Sequence, residues 1–98
     1  MYIFVKASLP SHKMVAVAHG VLICHKIYLQ DPDYIDWITN SFRKVVCEVT
    51  DDEFEELKLH EKHAVVTESG LKGMEVALVF CPRPDWPPHF KQFKFSPY

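Results

Sequence analysis

The sequence has no apolar run that reaches the roughly 18 residues of a membrane-spanning helix. Its longest candidate, residues 15–23, is interrupted by His19 and Gly20. It shows no signal-peptide layout, because Lys6 cuts the opening apolar stretch short and no cleavage site follows. A cytoplasmic protein that stays out of the membrane is therefore expected. C-x-x-C pairs are missing, which argues against a zinc ribbon or a thioredoxin-like site. The three cysteines, Cys24, Cys47 and Cys81, stand far apart in apolar contexts. They read as buried free thiols of a reducing compartment. There is no G-x-S-x-G, no H-E-x-x-H and no P-loop. Cys24 and His25 are neighbours on one helix and point in different directions, which argues against a thiol nucleophile activated by that imidazole. His60 and His63 could start a metal site but lack a third ligand. Neither metal nor other cofactor is expected. Excess positive charge is also absent. The net charge is −2 with histidine neutral, so the whole chain is no electrostatic attractor for nucleic acid. The acids, however, cluster in 31–36 and 51–61 while the bases collect elsewhere, a pattern compatible with one basic face on an acidic body.

What the sequence does have is the composition of a folded protein. Its apolar fraction is 48% over 98 residues, enough for one domain with one core and too short for two. Tyr2-Ile3-Phe4-Val5 is β-rich and predicts a buried strand. Ser11 is placed to N-cap a helix over 12–28. On a helical wheel Met14, Val17, Ala18, Val21, Cys24 and Tyr28 share a broad face expected to lie on the sheet. His12, Ala16, His19, Lys26 and Ile23 fall opposite. Asp31-Pro32 supplies an N-cap and an N1 proline for a second helix over 33–39, with Ile35 and Ile38 pointing inward. A second strand is expected over 42–49. Thr50 and Glu53 form a capping box for a third helix that anchors on Phe54 and Leu57 and runs to about 62. Strands over 63–67 and 74–80, joined by a short turn containing Gly70 and Gly73, should pair antiparallel. Four prolines then break regular pairing, and a basic, aromatic tail over 89–98 is expected to dock on the body. The sum is an α/β fold of order β-α-α-β-α-β-β: a single three-layer α/β/α domain over 1–98 with a four-stranded mixed sheet.

Several local words within this order resemble the type-two peptidyl-tRNA hydrolases of archaea and eukaryotes. That family's first helix opens with Gly-Lys-x-Ala-Ala-Gln-x-x-His-Ala. Here the corresponding residues are His12-Lys13-Met14-Val15-Ala16-Val17-Ala18-His19-Gly20. Lys13 and Ala16 match, Val17 stands where the family has Gln, and His19 comes one residue before the family His. Arg43-Lys44-Val45-Val46 is similar to the second strand. It follows a short Trp-containing helix, as in the divergent peptidyl-tRNA hydrolase domain-containing branch. Glu68-Ser69-Gly70-Leu71-Lys72 corresponds to the family's Asp-Ala-Gly-x-Thr turn, with Lys72 in place of Thr. Phe93-Lys94-Phe95 resembles the closing word.

The resemblance implies cleavage of the ester that joins a peptide to tRNA, and a homodimer. Such chemistry needs an activated water, donors for the developing oxyanion, and positive charge near phosphate. Lys13, Glu68 and His19 are the candidate catalytic residues: Lys13 for oxyanion or phosphate, Glu68 to polarise water, His19 as base or phosphate contact. His12, Lys72 and Lys26 are candidate substrate-binding residues, and the expected partner is tRNA or peptidyl-tRNA. This reading requires Lys13 and Glu68 to converge across one hollow. The alternative is a catalytically inactive module of the same fold that holds RNA or a protein, a reading favoured by Val17, whose side chain adds nothing to water activation.

Overall fold

The computed structural model of the protein describes residues 1–96; the last two residues of the expected tail lie outside them. The chain runs β1 (Tyr2–Lys6), α1 (Lys13–Tyr28), α2 (Pro32–Asn40), β2 (Val45–Val49), α3 (Asp51–Leu57), β3 (His63–Glu68) and β4 (Met74–Phe80), with single 3-10 turns at Ser69–Leu71 and Pro88–Gln92. The strands form one open mixed sheet in the order β2-β1-β4-β3. β1 and β2 are parallel, whereas β4 is antiparallel to both β1 and β3. β1, β2 and β3 therefore point the same way, and their carboxyl ends share one end of the sheet.

Side chains alternate across the sheet and build two cores. Under α1 and α2 lie Ile3, Val5, Ala64, Val66 and Val79. On the other face, under α3 and the tail, lie Phe4, Cys47, Val49, Leu78, Phe80 and Phe90. The helices thus cover both sides. All three cysteines are buried and free, and burial pushes the Cys24 thiol up to about 12 and those of Cys47 and Cys81 to about 11. Among the described residues no helix is long and apolar enough to cross a membrane.

Local chemistry explains the element boundaries. Asp31 caps α2 by accepting from the backbone N–H groups of Asp33 and Tyr34. Thr50 and Glu53 close a reciprocal capping box at α3. The start of α1 differs from expectation. Its N-cap is His12, in the left-handed region at φ 68°, and no side chain caps the helix; the Ser11 hydroxyl instead meets His12 Nδ1 at 2.6 Å.

Two helix faces also differ. α1 seats Ala16, Gly20 and Cys24 on the sheet, while Met14 is 74% exposed and Ala18 is exposed too. Small residues win this face because the helix lies close: a Cβ on Gly20 would stand 3.5 Å from Val66 and 3.6 Å from Val79. α2 turns Tyr34 and Trp37 inward rather than Ile35 and Ile38, which are 48% and 38% exposed. Each aromatic buries a ring and still satisfies its polar atom. The Tyr34 hydroxyl lies 2.8 Å from His25 Nδ1, and the Trp37 indole donates to the Arg43 carbonyl at 2.7 Å. β2 begins at Val45, not 42, since Phe42 adopts φ 61°. α3 ends at Leu57, five residues earlier than expected.

The tail docks as expected at Phe90, which is fully buried, but Phe95 is 68% exposed. Phe95 instead forms an antiparallel bridge to Cys47, flanked by bonds from Glu48 N–H to the Lys94 carbonyl and from Ser96 N–H to the Val46 carbonyl. The tail thereby covers the free edge of β2, the edge that would otherwise offer unpaired backbone groups to another strand.

Candidate functional site

Glu68, His19, His12, Lys13 and Lys72 lie toward the carboxyl ends of β2, β1 and β3, where open α/β sheets usually bind ligands, whereas Lys26 sits in the last turn of α1, away from that end. β3 presents Ala64, Val66 and Glu68 to α1 at every second position, and all three are buried. Glu68 is the last of this row and only 6% exposed. Its Oε1 accepts the Gly70 backbone N–H at 3.0 Å. Its Oε2 lies 3.1 Å from His19 Nε2, close enough for an ion pair but outside hydrogen-bond alignment. That N–H from Gly70 holds the Glu68 carboxyl below the usual carboxylate range, opposed by burial and helped by the nearby imidazoles of His19 and His12. Glu68 is thus a buried acid kept ionised.

His19 reaches Glu68 from the second turn of α1, and its side chain is 45% exposed. His12 completes the group: a Cβ on Gly70 would fall 3.0 Å from His12 Nε2 and 3.4 Å from Glu68 Oε1. The turn must therefore carry glycine, or very nearly so, if both side chains are to keep their places. The left-handed backbone of His12 swings its ring out over this turn. A non-glycine residue in that region costs about 1–3 kcal/mol, and such positions concentrate at functional sites. Because α1 has no side-chain cap, its first-turn N–H groups are left to water or to a ligand.

Lys13 goes elsewhere. Its amine pairs with Glu48 Oε1 at 2.7 Å. Glu48 and Glu68 sit on the two edge strands of the sheet, three strand spacings or about 14 Å apart. A small hollow of about 240 Å³, lined by Val5, Lys13, Met14, Val17, Val46, Glu48 and Ser96, flanks the lysine. Glu68 does not line it. The structure thus brings Glu68, His19 and His12 together and holds Lys13 apart with an acid that the sequence reading missed, so the expected convergence of Lys13 and Glu68 across one hollow is not met and any catalytic scheme must do without that pair. A signal was available: on β2 the inward residues Cys47 and Val49 alternate with Val46 and Glu48, so Glu48 had to face α1. Lys72 and Lys26 are exposed, and neither has an ion-pair partner among the described residues. Lys72 lies just past Gly70, with its backbone in the left-handed region. No group of three or more metal-ligating side chains occurs among the described residues.

No model of a known protein family matches the chain, and no curated protein matches it.

Proposed function

We propose that the chain is a type-two peptidyl-tRNA hydrolase-like domain and that it hydrolyses an ester carried by tRNA. The observation behind this reading is the pairing of a buried, ionised Glu68 with the exposed imidazole of His19, beside an uncapped helix start. A carboxylate facing Nε2 favours the tautomer with the proton on that nitrogen, which leaves the Nδ1 lone pair to take a proton from water. The carboxylate then stabilises the imidazolium that forms, while the resulting hydroxide attacks the ester carbonyl; collapse of the tetrahedral intermediate breaks the acyl–oxygen bond, and the ribose oxygen leaves with the proton that the imidazolium returns. First-turn N–H groups of α1 and the His12 ring supply donors for the developing oxyanion. Lys72, beyond Gly70, offers positive charge for phosphate, and Lys26 extends it along α1. In this scheme His19 is the base, Glu68 orients it, and Lys13 is peripheral.

One observation favours the alternative, a module that holds RNA without turnover. Lys13, the residue best matched to the family, is neutralised by Glu48 and so is not free to assist a reaction. A discharge assay with peptidyl-tRNA separates the two. Turnover that falls sharply in His19→Ala and Glu68→Gln supports the hydrolase. Wild-type protein that binds tRNA, more weakly as salt rises, yet leaves the ester intact supports the module. Turnover untouched by either substitution removes the site.

A further inference from the structure

A cleft of about 450 Å³ opens at the other end of the sheet, where β1 and β2 begin and β4 ends. Both tryptophans of the chain line it, Trp37 from α2 and Trp86 from the proline-rich segment after β4, as does Tyr2, which is in contact with Trp86. The walls are fixed by packing. Trp37 stacks on Phe42 and donates its indole N–H to the Arg43 carbonyl. Trp86 stacks on Phe90 with its rings at 29° and meets Tyr2 edge-on at 4.8 Å. Arg83 covers Trp86 only loosely, its guanidinium carbon 5.8 Å from the ring centre, and is tethered through Nε to the Asp85 carbonyl.

The cleft also concentrates charge. Arg43, Arg83 and Lys91 line it together with Asp33 and Asp36. Among the described residues none of the three cations is in an ion pair. Flat apolar walls call for a planar ring, which stacks on tryptophan with useful affinity whatever its identity. Arginine and lysine call for a phosphate, the arginines by bidentate bonding. Carboxylates beside them accept from hydroxyl or amine donors. The volume lies in the lower part of the usual 300–1,000 Å³ range for small-ligand pockets, which suits one nucleotide rather than a polymer.

We propose that this cleft is a binding site for a nucleoside monophosphate, with the base against Trp86, the phosphate on Arg43, Arg83 and Lys91, and sugar or base donors on Asp33 and Asp36. The site is separate from the Glu68–His19 pair and stands whether or not that pair is catalytic. Since the chain has 2 tryptophans and both line the cleft, intrinsic fluorescence reports occupancy directly. Titration of the full chain with adenosine monophosphate should give saturable quenching at micromolar to millimolar ligand. Adenosine alone and inorganic phosphate alone should each bind about tenfold more weakly or worse. Arg83→Gln and Lys91→Gln, at positions that carry little of the core, should each weaken the nucleotide by about tenfold. Trp86→Ala should remove binding, with circular dichroism as the fold control. The proposal is overturned by absence of saturation at millimolar nucleotide, by equal affinity for phosphate alone, by nucleotide affinity indifferent to both charge variants, or by a short single-stranded oligonucleotide that binds more tightly than the mononucleotide through the same residues.

Discussion

Glu48 and Glu68 occupy equivalent places on opposite edges of one sheet. Both close a row of α1-facing residues near a strand's carboxyl end, and both meet a nitrogen-bearing side chain from the first turns of the same helix. Their consequences differ. Glu48 takes a permanent charge, the Lys13 amine, so the pair is electrically finished. Glu68 takes a backbone N–H and the His19 imidazole, a side chain that can act as either acid or base. One edge of the sheet is a structural tie; on the function proposed above, the other serves proton transfer. Distance from a helix start does not separate the two, since Lys13 is closer to it than His19. What separates them is the identity of the group each acid meets.

The largest expected effect tests that contrast in activity. His19→Ala should lower peptidyl-tRNA turnover by about 10²- to 10⁴-fold, the usual worth of a positioned general base, while Lys13→Ala should cost tenfold or less. A greater loss from Lys13→Ala than from His19→Ala, in the same discharge assay, would reverse the assignment of the two edges. Next comes acid stability. Glu68 has its pKa depressed in the folded state, so the stability it contributes is present above the ordinary carboxylate pKa and is lost as pH falls through the depressed value. Wild type should therefore melt higher than Glu68→Gln at neutral pH, and the two curves should converge in strong acid. Asp31, whose carboxyl is held down chiefly by Lys62 at 2.6 Å, gives a matched control: Asp31→Asn should show the same convergence with turnover unaffected. A gap between wild type and Glu68→Gln that persists at low pH would mean that packing, not charge, holds that side chain.

The class of fold could be read from the sequence because its punctuation is local. Asp31-Pro32, the Thr50–Glu53 box and the Gly70–Gly73 turn each act on backbone groups within a few residues, and each does what its chemistry dictates. The seating of α1 was legible only in part. The wheel placed Cys24 correctly, and Val17, Val21 and Tyr28 do pack against the core, but Met14 and Ala18 are exposed, and the centre of the face fell to Ala16 and Gly20, whose value is closeness of approach rather than hydrophobicity. Tyr34 and Trp37 displaced Ile35 and Ile38 for a tertiary reason, since their polar atoms find His25 and Arg43. At the site, Glu68 and His19 were legible as residues of the right chemical kind. Their pairing was not, because it depends on which face of α1 lies against β3. The ion pair of Lys13 with Glu48 depends on the same placement.

A smaller effect bears on His12. Gly70→Ala places a methyl 3.0 Å from His12 Nε2, against an exposed ring whose other nitrogen meets the Ser11 hydroxyl. Stability should change by no more than about 0.5 kcal/mol. The ring must move, however, and turnover should fall several-fold. Unchanged turnover together with an unchanged melting temperature would take His12 out of the site and leave Glu68 and His19 alone.

The smallest effect on turnover comes from undoing the finished edge. Glu48→Gln removes an acid from a partly buried pair and should cost at most about 1 kcal/mol in a melting experiment, since Lys13 can turn to water. Its value lies in what the freed amine does next. With Glu48 gone, that end of the sheet carries one more uncompensated cation, next to the helix start where phosphate would approach. If nucleic acid lies across both edges, one further phosphate contact forms, and the slope of log affinity against log salt should steepen by about 0.7 for a single strand or 0.9 for a duplex. If the slope stays as in wild type, nucleic acid does not reach Lys13. The contrast between the edges then sharpens into a division: the β2 edge serves the fold alone, and any substrate is confined to the ground between His19, Gly70 and Lys72.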